Sequence, residues 1–124
     1  MTTDYEAVGG EVALRAIIEM FVDRIFDDVM IGFFFRKTTR QRLKEMEFQH
    51  AAEHLGGPVT YTGKSMRGAH GPHRIMGGHF ERRKKILSDV LVEHGVDEGV
   101  RQRWIDHVES LRNEITAHAG SECS

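Results

Sequence analysis

His70 is the residue in this chain best placed to do chemistry. It closes the stretch Tyr61-Thr-Gly-Lys-Ser-Met-Arg-Gly-Ala-His70, which follows Gly56-Gly57-Pro58, and the aromatic run Phe33-Phe34-Phe35 lies upstream. A neutral imidazole is a good ligand for a transition metal. One imidazole set across from an aromatic corner is the arrangement that holds a haem iron from one side. What stands on the other side of the iron then decides the function.

A second set of candidates shares one helical face. Leu43, Met46, Glu47, His50, Ala51 and His54 fall at i, i+3, i+4, i+7, i+8 and i+11. The Met46 thioether has two readings, a sixth iron ligand or a cover over the haem edge. His50 is either a distal polar group or proton relay, or a hydrogen-bonded, partly exposed side chain. The same residues allow metal without haem. Glu47-x-x-His50 has the spacing used in di-iron bundles, but no second Glu-x-x-His exists in the chain. His50-x-x-x-His54 is a zinc spacing that lacks an evident third ligand.

These residues need helices to position them. From about Glu11 to Val29, the apolar residues Leu14, Ile17, Ile18, Phe21, Val22, Ile25, Phe26 and Val29 repeat at the helical period. Gly9-Gly10 breaks any helix coming from Tyr5. A short aromatic corner at Gly32 to Phe35 precedes a helix from about Thr39 to Leu55, which Gly56-Gly57-Pro58 stops. Val59 to Gly78 is glycine-rich and irregular, with a short helix expected through Met66 to His70. A helix from about His79 to His94 carries Phe80, Ile86, Leu87, Val90 and Leu91, and Gly95 ends it. Asp97 caps the last helix, whose stripe is Val100, Trp104, Val108, Leu111 and Ile115. No strand alternation is present, so the fold class expected is all-α.

Composition narrows the class. The 124 residues suit one domain, 1–124, with a small polar, flexible tail from about 117. Hydrophobic content of 40%, charge of 29% and a net charge of -2 fit a globular protein with no case for nucleic acid or a membrane surface. The basic run Arg82-Arg83-Lys84-Lys85 reads as including a solvated helix face. Cys123 is the single cysteine, so no internal disulfide forms, and a free thiol suits a reducing compartment. No signal peptide or spanning segment is visible, and the location expected is the cytoplasm.

The order of these signals resembles the truncated haemoglobins, most closely group I. The matching segments are Tyr5-Glu-Ala-Val-Gly-Gly10, Phe34-Phe35, Leu55-Gly-Gly-Pro58, Tyr61-Thr-Gly63, Ser65-Met-Arg67, Ala69-His70 and His79-Phe80. The pattern covers roughly Tyr5 to Leu111. Each glycine pair is weak alone, and together at these spacings they are specific. The resemblance implies a 2-on-2 helical sandwich around haem, with His70 as the proximal iron ligand and Phe35 packing on the haem face. It also implies that Arg42 and Lys44 approach the propionates, and that Tyr61, Met66, Ile75, Phe80 and Leu87 line the pocket. A flat apolar disc with two carboxylates needs such walls and such a cationic rim, and Phe34 and Leu43 add to the walls. The cofactor implied is haem b, iron protoporphyrin IX, because no Cys-x-x-Cys-His is present for attachment through cysteine. His118 is a candidate for the histidine–haem link of some relatives, against the simpler reading of a tail residue.

The pocket departs from the family at two positions. Where group I carries an oxygen-bonding Tyr and Gln, this chain has Val22 and Glu47. Valine donates nothing, and an ionised glutamate only accepts. A protonated Glu47 would donate, since burial raises a carboxyl pKa. The alternative is an ion pair with Arg83, which stands where the family has an apolar pocket residue. A paired buried charge is tolerated where a lone one is not.

The function implied is binding of a diatomic gas (oxygen, nitric oxide or carbon monoxide) as carrier, scavenger or sensor, including oxygen transport. Nitric oxide dioxygenation or peroxidase-like turnover is the enzyme alternative and calls on a separate reductase. A redox role follows if Met46 or another side chain closes the sixth site. A globin-fold regulator without haem is the fourth class. The assembly expected is a monomer or weak homo-oligomer.

Overall fold

The structure is a computed structural model that describes residues 2–36, 38–59 and 77–112. Expectations for Tyr61, Met66, His70, Ile75, Ile115, His118, Cys123 and the tail lie outside the described residues. Among those described, the elements are α1 (Asp4–Ala7), α2 (Gly10–Asp27), a 3-10 turn (Gly32–Phe35), α3 (Arg40–His54), α4 (Gly77–Glu93) and α5 (Glu98–Ser110).

The helix boundaries follow from local chemistry. The Thr3 side chain caps α1 by accepting from the Glu6 amide, and Gly9 and Gly10 then take φ of 111° and 76°. Such positive φ values favour glycine, and they separate α1 from α2. Thr39 caps α3 by accepting from the Arg42 amide at 3.1 Å. At the other end of α3, the Gly57 amide donates to the Ala52 carbonyl at 2.8 Å and the Gly56 amide to Glu53 at 3.1 Å. That pair of bonds is a Schellman cap, with Gly56 at φ 89°. The end of α4 repeats it, through Val96 to Leu91 and Gly95 to Val92. Asp97 accepts from the Gly99 amide and starts α5, as its position in the sequence predicts.

α2 is the centre of the packing. Its buried stripe is Leu14, Ile17, Ile18, Phe21, Val22 and Ile25, and it lies against both α3 and α4, while α4 also packs on α5. Two helix pairs, α2 with α3 and α4 with α5, thus share one core. Burying each such aliphatic or aromatic side chain stabilises by about 1.5–3 kcal/mol. Phe80, Val90 and Leu91 of α4 and Val100, Trp104 and Val108 of α5 complete the interior. No helix among the described residues is long and apolar enough to cross a membrane.

One expectation fails here. Val29 continues the apolar period of α2 in sequence but is 96% exposed. The helix stops at Asp27, and Asp28 takes an extended conformation with ψ 133°. The Asp28 carboxylate then accepts from the amides of Met30 and Ile31 at 2.9 and 3.2 Å. That local turn takes Val29 out of the helical register.

Candidate functional site

The 3-10 turn, α3 and α4 each contribute apolar side chains to the buried core. Phe34 and Phe35 are buried on the turn, Leu43 on α3, and Phe80 and Leu87 on α4. Phe34 stacks on Phe33 with centroids 4.2 Å apart and takes the edge of His79 at 5.0 Å. Phe35 stacks on Phe26 at 6.0 Å. The two cations expected at a carboxylate rim behave differently. Arg42 is exposed. Lys44 Nζ lies 3.2 Å from Asp23 and 3.7 Å from Glu19, so the carboxylates of α2 engage it. Met46 is half-buried on α3.

Glu47 and Arg83 meet. Arg83 Nη2 donates to Glu47 Oε1 at 2.9 Å and to Oε2 at 3.0 Å. Arg83 is only 4% exposed, which makes it the buried charged residue of the core. A single guanidinium nitrogen bridges both oxygens, so the parallel two-nitrogen fork is not formed. The guanidinium carbon stands 5.0 Å from the centroid of the Phe21 ring, whose π face also favours a cation. Arg83 Nε is buried and has no partner among the described residues. Val22 is fully buried in the α2 stripe beside Phe21.

A small cavity opens next to this pair. Its volume is about 20 Å3. Ile18 and Phe21 of α2, Glu47, His50, Ala51 and His54 of α3, and Arg83 and Leu87 of α4 form one side. Trp104, His107 and Val108 of α5, with Leu111 at its end, close it. Three imidazoles gather there. His54 stacks face to face on His107 at 4.1 Å with a 17° tilt, and His50 sits 5.8 Å from His107. Trp104 takes the edge of His54 at 5.5 Å. Burial, then the neighbouring His107 and His50, push the His54 imidazole down to about 3. Burial and then His50 hold His107 below the usual histidine value. Desolvation and like charge both disfavour the imidazolium here. Among the described residues no cluster of histidine, cysteine or carboxylate side chains is arranged to hold a metal ion, although His107 joins the His50-x-x-x-His54 pair.

His107 is the residue that the sequence reading did not single out. Its signal was present, since it falls three residues after Trp104 on the buried stripe of α5. Nothing local says that this stripe faces the histidines of α3. His50 and His54 were named by their shared face, and the cavity lies along it.

The all-helical architecture is that of a small 2-on-2 globin, as the comparisons with known proteins show. Residues 3–117 match the family model described as bacterial-like globin, and the chain belongs to that family. It is 33% identical over 117 residues to the group 1 truncated hemoglobin of Mycolicibacterium paratuberculosis, covering 94% of this chain and 86% of that one. It is 29% identical to the group 1 truncated hemoglobin of Tetrahymena pyriformis over 113 residues, with 91% and 93% covered. The crystal structure of the Tetrahymena pyriformis truncated hemoglobin in its Fe(III) form superposes with a TM-score of 0.85 over 92% of this chain and 97% of that one. The 2/2 hemoglobin from Synechococcus sp. PCC 7002, at 24% identity, matches in fold with a TM-score of 0.87 over 94% and 99% of the two chains. Globins are a haem-binding family, and the 2-on-2 sandwich expected from the sequence is the fold found.

Proposed function

We propose that this chain binds haem b through His70 and takes a small ligand on the opposite side, next to Glu47 and Arg83. The fit of the residues supports this reading. Phe34, Phe35, Leu43, Phe80 and Leu87 are buried and apolar, as the faces of a porphyrin require. Arg83, the charged residue buried among the described residues of that core, is matched by Glu47, so each of the two charges has a partner. Haem supplies an iron that a diatomic ligand can occupy. His70 orients it, Phe35 packs on its face, and Tyr61, Met66 and Ile75 complete the pocket. Arg42 is the propionate partner that remains exposed. Lys44 would have to leave Asp23 to join it. The protein works in a reducing compartment, in keeping with Cys123.

The observation that carries the reading is the Glu47–Arg83 pair, in which Glu47 stands where the resemblance implies an oxygen-bonding Gln and Arg83 where it implies an apolar pocket residue. With Val22 where the resemblance implies a Tyr, this distal side does not offer bound dioxygen the usual neutral donors. Exchange of a gas, or sensing of it, suits this pocket better than oxygen transport or storage. A second reading has support from the same pair. A carboxylate beside a guanidinium is a proton acceptor beside an anion stabiliser, which suits peroxide turnover with a separate electron donor.

The absorption spectrum of the purified protein tests the core of the proposal. A Soret band that is lost in His70→Gly and returns with added imidazole is the result expected. Unchanged ligation in that variant overturns the assignment of His70. Ferrous spectra with and without carbon monoxide show whether Met46 closes the sixth site. Oxidation of an aromatic donor by hydrogen peroxide, lost in Glu47→Gln, would favour the enzyme reading.

A further inference from the structure

The cavity between α3 and α5 has features that gas binding does not use. Its volume of about 20 Å3 exceeds the roughly 10–15 Å3 that one water molecule needs. Two of its lining residues each carry a buried nitrogen with no partner among the described residues, Arg83 Nε and His107 Nε2. Arg83 Nε can only donate, while a neutral His107 can accept at Nε2. An apolar cavity of this size stays dry, whereas one lined by unpaired polar groups holds water. His107 is also half-buried, not sealed in the core as Trp104 and Val108 of the same helix are.

We infer that this cavity holds one water molecule between Arg83 Nε and His107 Nε2, and that His107 uses it as a proton port between solvent and the Glu47–Arg83 pocket. The relevance of the port to ligand chemistry rests on the haem reading above. Its operation is as follows. A weak acid entering the pocket gives its proton to the water. The water passes one of its own protons to His107 Nε2. The other ring nitrogen releases a proton to solvent, so the ring begins and ends neutral, as its other tautomer. No charge accumulates at any site along the route.

The surroundings favour a neutral ring. From α3, His50 and His54 face His107, and Glu47 lies across the cavity. From α4, Arg83 faces it. From α1, Asp4 acts on His54, not on His107, and is itself held by Arg103. Burial first, and then His50, hold His107 below the usual histidine value, so the neutral ring is favoured near neutral pH. The face-to-face stack on His54 fixes the ring plane without using either of its nitrogens.

Two measurements on the whole chain decide this. In 15N-labelled protein, the Arg83 Nε–H should show a cross-peak to a long-lived water. It should vanish in His107→Phe and persist in His107→Gln, whose amide can still hold the water. No water contact at Arg83 in the native protein, or an unaltered one in His107→Phe, overturns the inference. In the haem-loaded protein, ferric cyanide uptake requires loss of a proton, and ferrous carbon monoxide uptake does not. His107→Phe should slow cyanide by about a hundredfold, the low end of what positioned proton transfer contributes, with carbon monoxide unchanged. Equal slowing of both would mean a blocked channel and would also overturn the port. A chain that takes up no haem would refute the reading under Proposed function, and the water contact at Arg83 would still decide the cavity.

Discussion

Arg83 of α4 reaches across the core and places one nitrogen 2.9 and 3.0 Å from the two carboxylate oxygens of Glu47 on α3. The sequence reading offered this pairing as one of two fates for Glu47, and the geometry selects it. The pair ties α3 to α4, two helices that each pack chiefly on α2. It also makes a net-neutral but strongly polar unit within an otherwise apolar core.

Removing either member leaves the other charge buried and unmatched, at a cost of about 3–5 kcal/mol. Glu47→Gln alone and Arg83→Leu alone should each lower thermal stability by that order. The double variant should recover much of the loss, because a neutral pair needs no compensation. A double-mutant cycle on thermal unfolding measures the coupling, and strictly additive losses would show that the residues act independently.

Oxygen release should be fast in the haem-loaded protein. A hydrogen bond to a charged or polarised group is worth about 1.5–3 kcal/mol, and each 1.4 kcal/mol is about tenfold in an equilibrium constant. Glu47→Gln/Arg83→Leu restores an amide donor without stranding a charge. Its oxygen dissociation should therefore be slower than that of the native chain by about tenfold or more, read by stopped-flow displacement. An unchanged rate would mean that another group, such as His50, already bonds the ligand.

The histidine cluster makes stability fall in mild acid. His54 binds its proton in the unfolded chain near the ordinary 6.5 but in the fold only at about 3. Between those values the unfolded state holds more protons, so stability is complete above about 6.5 and is lost as pH falls, by up to about 1.4 kcal/mol per unit. His107, also depressed, adds to the loss in the same direction. The paired carboxylates Asp4, Asp23 and Glu109, all held below their usual range, lose their contribution only at lower pH. Melting temperatures from pH 7 down to 4.5 should decline in the native chain and decline less in His54→Gln. Parallel curves would place the titration elsewhere.

Gly57 is a steric requirement of the α1–α3 junction. A Cβ there would stand 2.6 Å from the Tyr5 ring. The Tyr5 amide donates to the Leu55 carbonyl at 2.9 Å, which holds the α1 backbone at this junction, and ring atoms near the base of the side chain are among those a Cβ would meet. Gly57→Ala should destabilise by about 1–3 kcal/mol, the usual cost of overpacking. Tyr5→Ala in the same background should reduce that penalty, as chemical denaturation would show.

Helix limits and family membership were legible in the chain because both rest on local chemistry. Gly9-Gly10, Thr39, Gly56-Gly57 and Gly95 act on their own backbone, and the 3.6-residue period of α2 and α5 reports which face is buried. Glu47 and Arg83 stood out as charges where the resemblance implies a neutral pocket. Periodicity does not say which buried face meets which, nor where a long side chain ends. Lys44 therefore gave no sign that Asp23 and Glu19 would take it. Val29 gave none that the Asp28 turn would expose it. His107 gave none that it would stack on His54. Those outcomes were settled by the packing of α3 on α2 and the approach of α5 to α3, and tertiary structure alone fixes such distances.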